Sequence, residues 1–258
     1  MLRLSELSIV ESQDALKDIP DGKVLINTIN AHSFNVAQKD ELFARSLTPD
    51  PSPKGEGSSQ TCVKYLIPDG ASIVKACKFL KAKSQPKERI AGWDLFAFEM
   101  QRLNKKGEMM NDKCRVMFMG SSEKVLAKIR ERAAKDYPNL EIVTYSPPYK
   151  PEFSDEDNAA IIKAINEANP DLLWIGMTAP KQEKWTYQHW KELDIHCHVG
   201  TIGAVFDFYA GTAQRAPQWW QKHSLEWLYR LVKEPKRMWR RYVIGNPLFL
   251  WNISRERA

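Results

Sequence analysis

The segment CRVMFMGSSEKVLAKIRERAAKDYPNLEIVTYS, residues 114–146, decides the fold. It opens on an apolar run, CRVMFMG (114–120), and closes on a second, LEIVTYS (140–146). Between them SEKVLAKIRERAAKDY (122–137) repeats apolar residues at helical spacing behind a serine suited to cap the first turn. Two strands joined by a helical crossover are a parallel unit. Working outward, KVLINTI (23–29), DLLWIGM (171–177) and IHCHVG (195–200) read as further strands, and SDEDNAAIIKAINEAN (154–169) as another helix. The expected fold is α/β, a Rossmann-like, mainly parallel sheet flanked by helices. Such sheets bind ligands at the carboxyl ends of their strands, which directs attention to the segments after 29, 120, 146, 177 and 200.

With 43% hydrophobic and 27% charged residues, the 258-residue chain has the composition of an ordinary soluble protein. It contains no run of eighteen apolar residues, so no bilayer span is expected. The start of the chain, MLRLSELSIVESQDALKD, has early acidic residues and no continuous apolar stretch, and is not read as a secretory signal. Cys62, Cys77, Cys114 and Cys197 are scattered, which suits a reducing compartment. The basicity is local: of 38 Lys+Arg and 32 Asp+Glu in all, ten and three fall from residue 212 onward, leaving a nearly neutral body. Residues 1–211 therefore read as the α/β core and 212–258 as a basic helical appendage. There, Leu225, Leu228, Leu231 and Val232 recur at helical spacing, Pro235 breaks or restarts the helix, and Lys236, Arg237, Arg240 and Arg241 bracket Trp239. Three readings stand: an apolar face packed on the sheet, an interfacial helix on anionic lipid, or a nucleic-acid surface. LTPDPSPKGEGSSQT (47–61), dense in Pro, Gly and Ser, reads as a flexible surface loop without chemistry of its own.

Several residues lie where chemistry is expected. Asp69, in Pro-Asp-Gly, would present a carboxylate at a sharp turn, although such turns are common. Thr28 and Asn30 follow the first strand and either face the crevice or satisfy their own turn. His32 beside them reads as structural. Arg89 has the bland option of pairing with Asp94. Gly120 ends a strand ahead of a helix whose N–H groups suit a phosphate, but Ser121 and Ser122 replace the further glycines of a dinucleotide fingerprint, against NAD or FAD. In TAPKQEKW (178–185), Pro180 fits a first helical turn, and Thr178, Lys181 and Gln182 crowd one strand end. Asp155, Glu156 and Asp157 contain an Asp-x-Asp pattern, yet Ser154 as N-cap and the helix dipole account for them without a metal. His196 and His198 alternate along a strand without a third ligand at zinc-site spacing.

Five stretches, in order, resemble the WecG/TagA/CpsF family of bacterial glycosyltransferases: INTINAHSFNVAQKDELFA (26–44), IPDGASIVKACKFL (67–80), ERIAGWDLF (88–96), TAPKQEKW, and FDFYAGTAQRAP with the basic tail (206–251). Together they cover most of residues 20–251. The resemblance implies Asp69 as general base and Thr28, Asn30, Arg89, Gly120, Thr178, Lys181 and Gln182 as contacts of a nucleotide-sugar. It implies Tyr145 and Asp207 at the nucleobase, and Arg237 or Arg240 brought to the diphosphate by a closing tail. It also marks 47–61 as an insertion. The implied activity is inverting transfer of an N-acetylhexosamine-type sugar, N-acetylmannosamine or its uronic acid, from a UDP donor to a lipid-linked acceptor. The implied setting is peripheral, on the cytoplasmic membrane face at an anionic surface. No cofactor, metal or nucleic acid is expected, and a homo-oligomer is left open. Hydrolysis of the same nucleotide-sugar, or a non-catalytic nucleic-acid-binding protein, are the competing readings.

Overall fold

The structure, a computed structural model, describes residues 2–48, 62–223 and 225–257. Among these, six strands, β1 Val24–Ile29, β2 Val63–Pro68, β3 Cys114–Gly120, β4 Leu140–Tyr145, β5 Leu172–Gly176 and β6 His198–Thr201, form one sheet in the order β2-β1-β6-β5-β3-β4. Every pairing is parallel, so all six carboxyl ends open on one edge and each connection has to cross over the sheet. Helices α1 Ala31–Ala37 and α2 Glu41–Leu47 follow β1, and α3 Ala71–Leu80 and α4 Gly92–Met110 follow β2. The remaining strands are followed by α5 Glu123–Asp136, α6 Asp155–Ala168, α7 Lys181–Gln188 and α8 Gly203–Tyr209. The tail continues as α9 Gln218–Lys222, α10 Glu226–Lys233, α11 Pro235–Trp239, a π-helical turn at Arg240–Ile244, and α12 Gly245–Arg257.

The central strands are apolar on both faces, as a sheet covered on both sides requires. Ile26, Phe118 and Trp174 point to one face, where Phe96 of α4, Leu126 of α5 and Phe206 of α8 meet them. Their neighbours Leu25, Met117 and Leu173 point to the other, against Ile161 and Ile165 of α6 and Trp185 of α7. A third cluster joins the N-terminal segment, α1, α2 and α3 to the last helix: Phe34 and Phe249 meet edge to face at 5.6 Å, and the Asn35 amide donates to the Gly245 carbonyl at 2.7 Å. The Glu256 carboxylate accepts from the N–H groups of Leu4 and Ser5, at 2.9 and 2.7 Å. The end of the tail is thus built into the core beside β1, and this holds α10 and α11 over the sheet edge.

Five expectations change. Strand β2 was not foreseen, and β6 begins at His198, leaving Ile195 and Cys197 buried ahead of it. The loop read at 47–61 begins too early, since Leu47 closes α2 and is fully buried; residues 49–61 lie outside the described residues. Pro180 stands at the N-cap of α7 instead of in its first turn. Ser122 precedes α5 without a side-chain cap bond, whereas Ser154 caps α6, its hydroxyl accepting from the Asp157 N–H at 3.2 Å. No described helix is long and apolar enough to cross a membrane.

Candidate active site

Asp69 occupies the turn between β2 and α3, and its N–H donates to the Ile29 carbonyl at 2.8 Å, which ties the turn to the end of β1. A Cβ placed on Gly70 would lie 3.7 Å from Asn30 Cβ, so the two loops touch. The Ile90 N–H donates to the Pro68 carbonyl at 3.1 Å and thereby sets Arg89 next to this turn. Local sequence explains the arrangement. Proline ends the strand and glycine allows the reversal, while Asn30 fastens the start of α1 by accepting from the His32 and Ser33 N–H groups at 3.0 Å each.

Arginines from two sources converge here. The Arg89 guanidinium forms an ion pair with Glu226 of α10, and Arg215, from the loop ahead of α9, reaches the other oxygen of that carboxylate at 3.8 Å. Arg230, one turn along α10, lies over the Phe208 ring at 5.4 Å. Burial pushes the Asp69 carboxyl up to about 6, with Arg230, Arg89 and Arg241 drawing it down and Glu226 adding to the rise. Half-buried and ionised above that pH, Asp69 has the properties of a general base. His32, held at about 4 by burial and by the nearby Arg241 charge, is neutral at physiological pH. The chemistry on offer is proton abstraction beside a cluster of guanidinium groups suited to a phosphorylated ligand.

The remaining candidates separate. Thr28 is half-buried at the end of β1, opposite Ile67, close to Asp69. The bland pairing of Arg89 with Asp94 does not form, because the Asp94 carboxylate accepts from the Ala91 N–H at 2.8 Å and caps α4. Gly120 has φ +121°, and a Cβ there would meet the Gly176 carbonyl oxygen at 2.3 Å. Close approach of β3 to β5 therefore requires this glycine whatever it binds. Thr178 is exposed after β5. The Lys181 ammonium donates to the Lys150 carbonyl at 2.6 Å and sits 3.4 Å from the Phe153 ring centre, pinning the loop between β4 and α6. Gln182 is engaged within the chain. It is buried, its carbonyl oxygen accepts from the Met177 N–H at 3.1 Å, and its amide donates to Glu183 at 2.9 Å. Burial drives the Glu183 carboxyl up to about 7.

Asp207, on α8, accepts from the Thr212 hydroxyl at 3.1 Å. Tyr145 ends β4, the edge strand opposite β2, and five strand spacings of about 4.8 Å keep it out of the Asp69 cluster. Arg240 is exposed above the Trp239 ring and outside the cluster, and the Arg237 side chain lies outside the described residues. Arg215, Glu226, Arg230 and Arg241 were not singled out for this site from sequence. The signal was the charge excess after residue 212, which names no partner 137 residues away in the chain. Among the described residues no group of three or more His, Cys, Asp or Glu is placed to hold a metal; His198 is buried against Glu99 at 2.9 Å and His196 is exposed.

Comparison with known proteins identifies the family. One relative, the N-acetylglucosaminyldiphosphoundecaprenol N-acetyl-beta-D-mannosaminyltransferase of Bacillus subtilis (strain 168), is 30% identical over 192 residues, covering 74% of this chain and 69% of the relative. The enzyme of the same name from Bacillus spizizenii is 32% identical over 75% of this chain and 70% of its own length, and that of Staphylococcus aureus (strain MW2) 28% over 75% and 70%. The Glycosyl transferase WecG/TagA/CpsF family matches residues 2–258. A match over nearly its whole length, on a parallel sheet that carries Asp69 and Arg89 at its carboxyl edge, makes the chain a member of the WecG/TagA/CpsF family of glycosyltransferases.

Proposed function

We propose that this glycosyltransferase moves N-acetylmannosamine from a UDP-linked donor to a sugar hydroxyl on a lipid-linked diphosphate acceptor, with inversion at the anomeric carbon. The observation that carries the reading is the half-buried Asp69 carboxylate set among Arg89, Arg230 and Arg241 at the carboxyl edge of the sheet. The printed names of the relatives supply the acceptor class and the sugar. In this reaction Asp69 accepts the proton of the acceptor hydroxyl as that oxygen bonds to the anomeric carbon. The bond from that carbon to the diphosphate oxygen breaks, and UDP leaves with its developing charge stabilised by the guanidinium groups. Thr28 and Thr178 lie at strand ends where sugar hydroxyls would be held. The chain's own cations carry the leaving group in this scheme, without a bound metal.

The tail supports a peripheral membrane position. Trp239, Val243, Ile244, Leu250 and Trp251 are exposed apolar side chains, and Lys236 and Arg240 are exposed among them, the composition of a surface that rests in a lipid headgroup layer. Docking there would bring a lipid-linked acceptor to Asp69, on the cytoplasmic face where nucleotide-sugars are available.

The test is to incubate the protein with UDP-N-acetylmannosamine and an N-acetylglucosaminyl-diphospho-lipid of short chain, and to identify products by mass spectrometry and the new linkage by NMR. A disaccharide lipid with a β linkage is expected. Free N-acetylmannosamine and UDP in place of a disaccharide would assign hydrolysis instead, and no UDP release would overturn the reading.

A further inference from the structure

Glu226 is the one acidic side chain that α10 places among the arginines around Asp69. One carboxylate oxygen pairs with Arg89 and the other faces Arg215 at 3.8 Å. The two guanidinium groups come from distant segments. The bond of the Ile90 N–H to the Pro68 carbonyl places the Arg89 backbone beside the Asp69 turn, and the Arg89 guanidinium meets Glu226. Arg215 lies 5.0 Å from the Trp93 ring centre and donates to the Gln221 side chain at 3.1 Å. Two planar forks held apart by one carboxylate, half-buried, and beside the candidate base form a cradle for a tetrahedral anion.

We propose that Arg89 and Arg215 form a phosphate subsite for the diphosphate of the donor, and that Glu226 is its built-in occupant, displaced when the donor binds. This rests on the reading of the site as a nucleotide-sugar site. A carboxylate offers two oxygens and a single charge. A diphosphate offers more of both, so it outcompetes Glu226 for the same two forks, while Glu226 lowers apparent affinity by the fraction of molecules in which it occupies them. The device keeps the arginines from repelling one another in the unliganded protein and makes nucleotide binding release the first turn of α10, the helix that also carries Trp227 and Arg230.

Calorimetric titration with UDP, and separately with inorganic pyrophosphate, tests this on the full-length protein, with thermal melting to confirm folding of each variant. Glu226→Gln keeps the shape and removes the charge, and should tighten both ligands by about tenfold, as expected when an occupant filling some nine-tenths of the subsites is lost. Arg215→Gln should weaken both by tenfold or more. Equal or weaker binding by Glu226→Gln would make Glu226 a buttress of the arginines and overturn the inference, as would unchanged binding by Arg215→Gln. Should Glu226→Gln not fold, the wild-type protein decides: saturating pyrophosphate should speed amide hydrogen exchange in residues 226–229, and unchanged or slower exchange contradicts displacement. Absence of UDP and pyrophosphate binding in wild type and every variant would instead remove the nucleotide-sugar reading itself.

Discussion

At Asp69, the same burial that makes a base costs stability. Its folded-state value of about 6 lies above the ordinary 3.8, so the folded protein holds this proton more tightly than the unfolded chain does. The stabilisation from that proton is complete below the ordinary value and is lost as pH rises through about 6. Two outcomes follow. In wild type, kcat/KM should rise through pH about 6 to a plateau, because only the ionised carboxylate accepts a proton. Asp69→Asn should melt at a higher temperature than wild type at pH 7.5, with the difference closing toward pH 4, as differential scanning calorimetry would read; a lower melting temperature at pH 7.5 would contradict the buried charge. Asp69 was legible in sequence as a Pro-Asp-Gly turn and Arg89 as part of ERIAGWDLF, and the role of each came from the family resemblance. Gln182 was legible as a position only, since its burial and its bonds to Met177 and Glu183 depend on how the loop after β5 closes.

Between elements, β6 is fixed to α4 by a buried pair. The two His198 ring nitrogens face acceptors, Glu99 at 2.9 Å and the Pro20 carbonyl at 3.0 Å, which calls for the imidazolium form. Burial alone would lower its pKa, but the hydrogen bond and charge of Glu99 outweigh it and raise the value above 6.5. The pair's contribution is therefore full below 6.5 and fades as pH climbs through the raised folded value. Glu99→Gln should destabilise by about 3 kcal/mol near pH 6 by urea unfolding, with a smaller deficit at pH 9; an equal deficit at both would remove the charge from the argument. Sequence showed His196 and His198 as an alternating pair, but the strand starts only at His198. The missed strand has a similar cause. In VKYLIP, Val63 is exposed and Lys64 buried, its ammonium donating to the Arg45 and Thr48 carbonyls at 2.9 Å each, so alternation is inverted at that end. Strands β1, β3 and β5 were readable because both of their faces are covered and apolar runs survive intact, whereas β4, an edge strand buried only at Leu140, was readable from its place at the end of the helical crossover.

Across the whole molecule, a basic tail covers the carboxyl edge of a parallel sheet, and its parts divide between core, site and surface. The final helix is core, packed on α1. Arg215, Arg230 and Arg241 turn inward to Asp69, while Lys236 and Arg240 remain exposed. Sequence could locate the charge but not divide it, because the division depends on α12 docking beside β1. Reversing both exposed charges, Lys236→Glu with Arg240→Glu, should weaken binding to anionic vesicles by tenfold or more, at about 1 kcal/mol or more per residue, and the loss should shrink as salt rises. Transfer to a soluble acceptor analogue should stay near wild type; loss of that activity would place these residues in the site. The central claim, that Asp69 takes the acceptor proton while the arginines hold the diphosphate, is tested most directly by measuring turnover and UDP affinity together in Asp69→Asn. The account predicts turnover lower by about 10²-fold or more with UDP binding retained; near-normal turnover in the folded variant would contradict it.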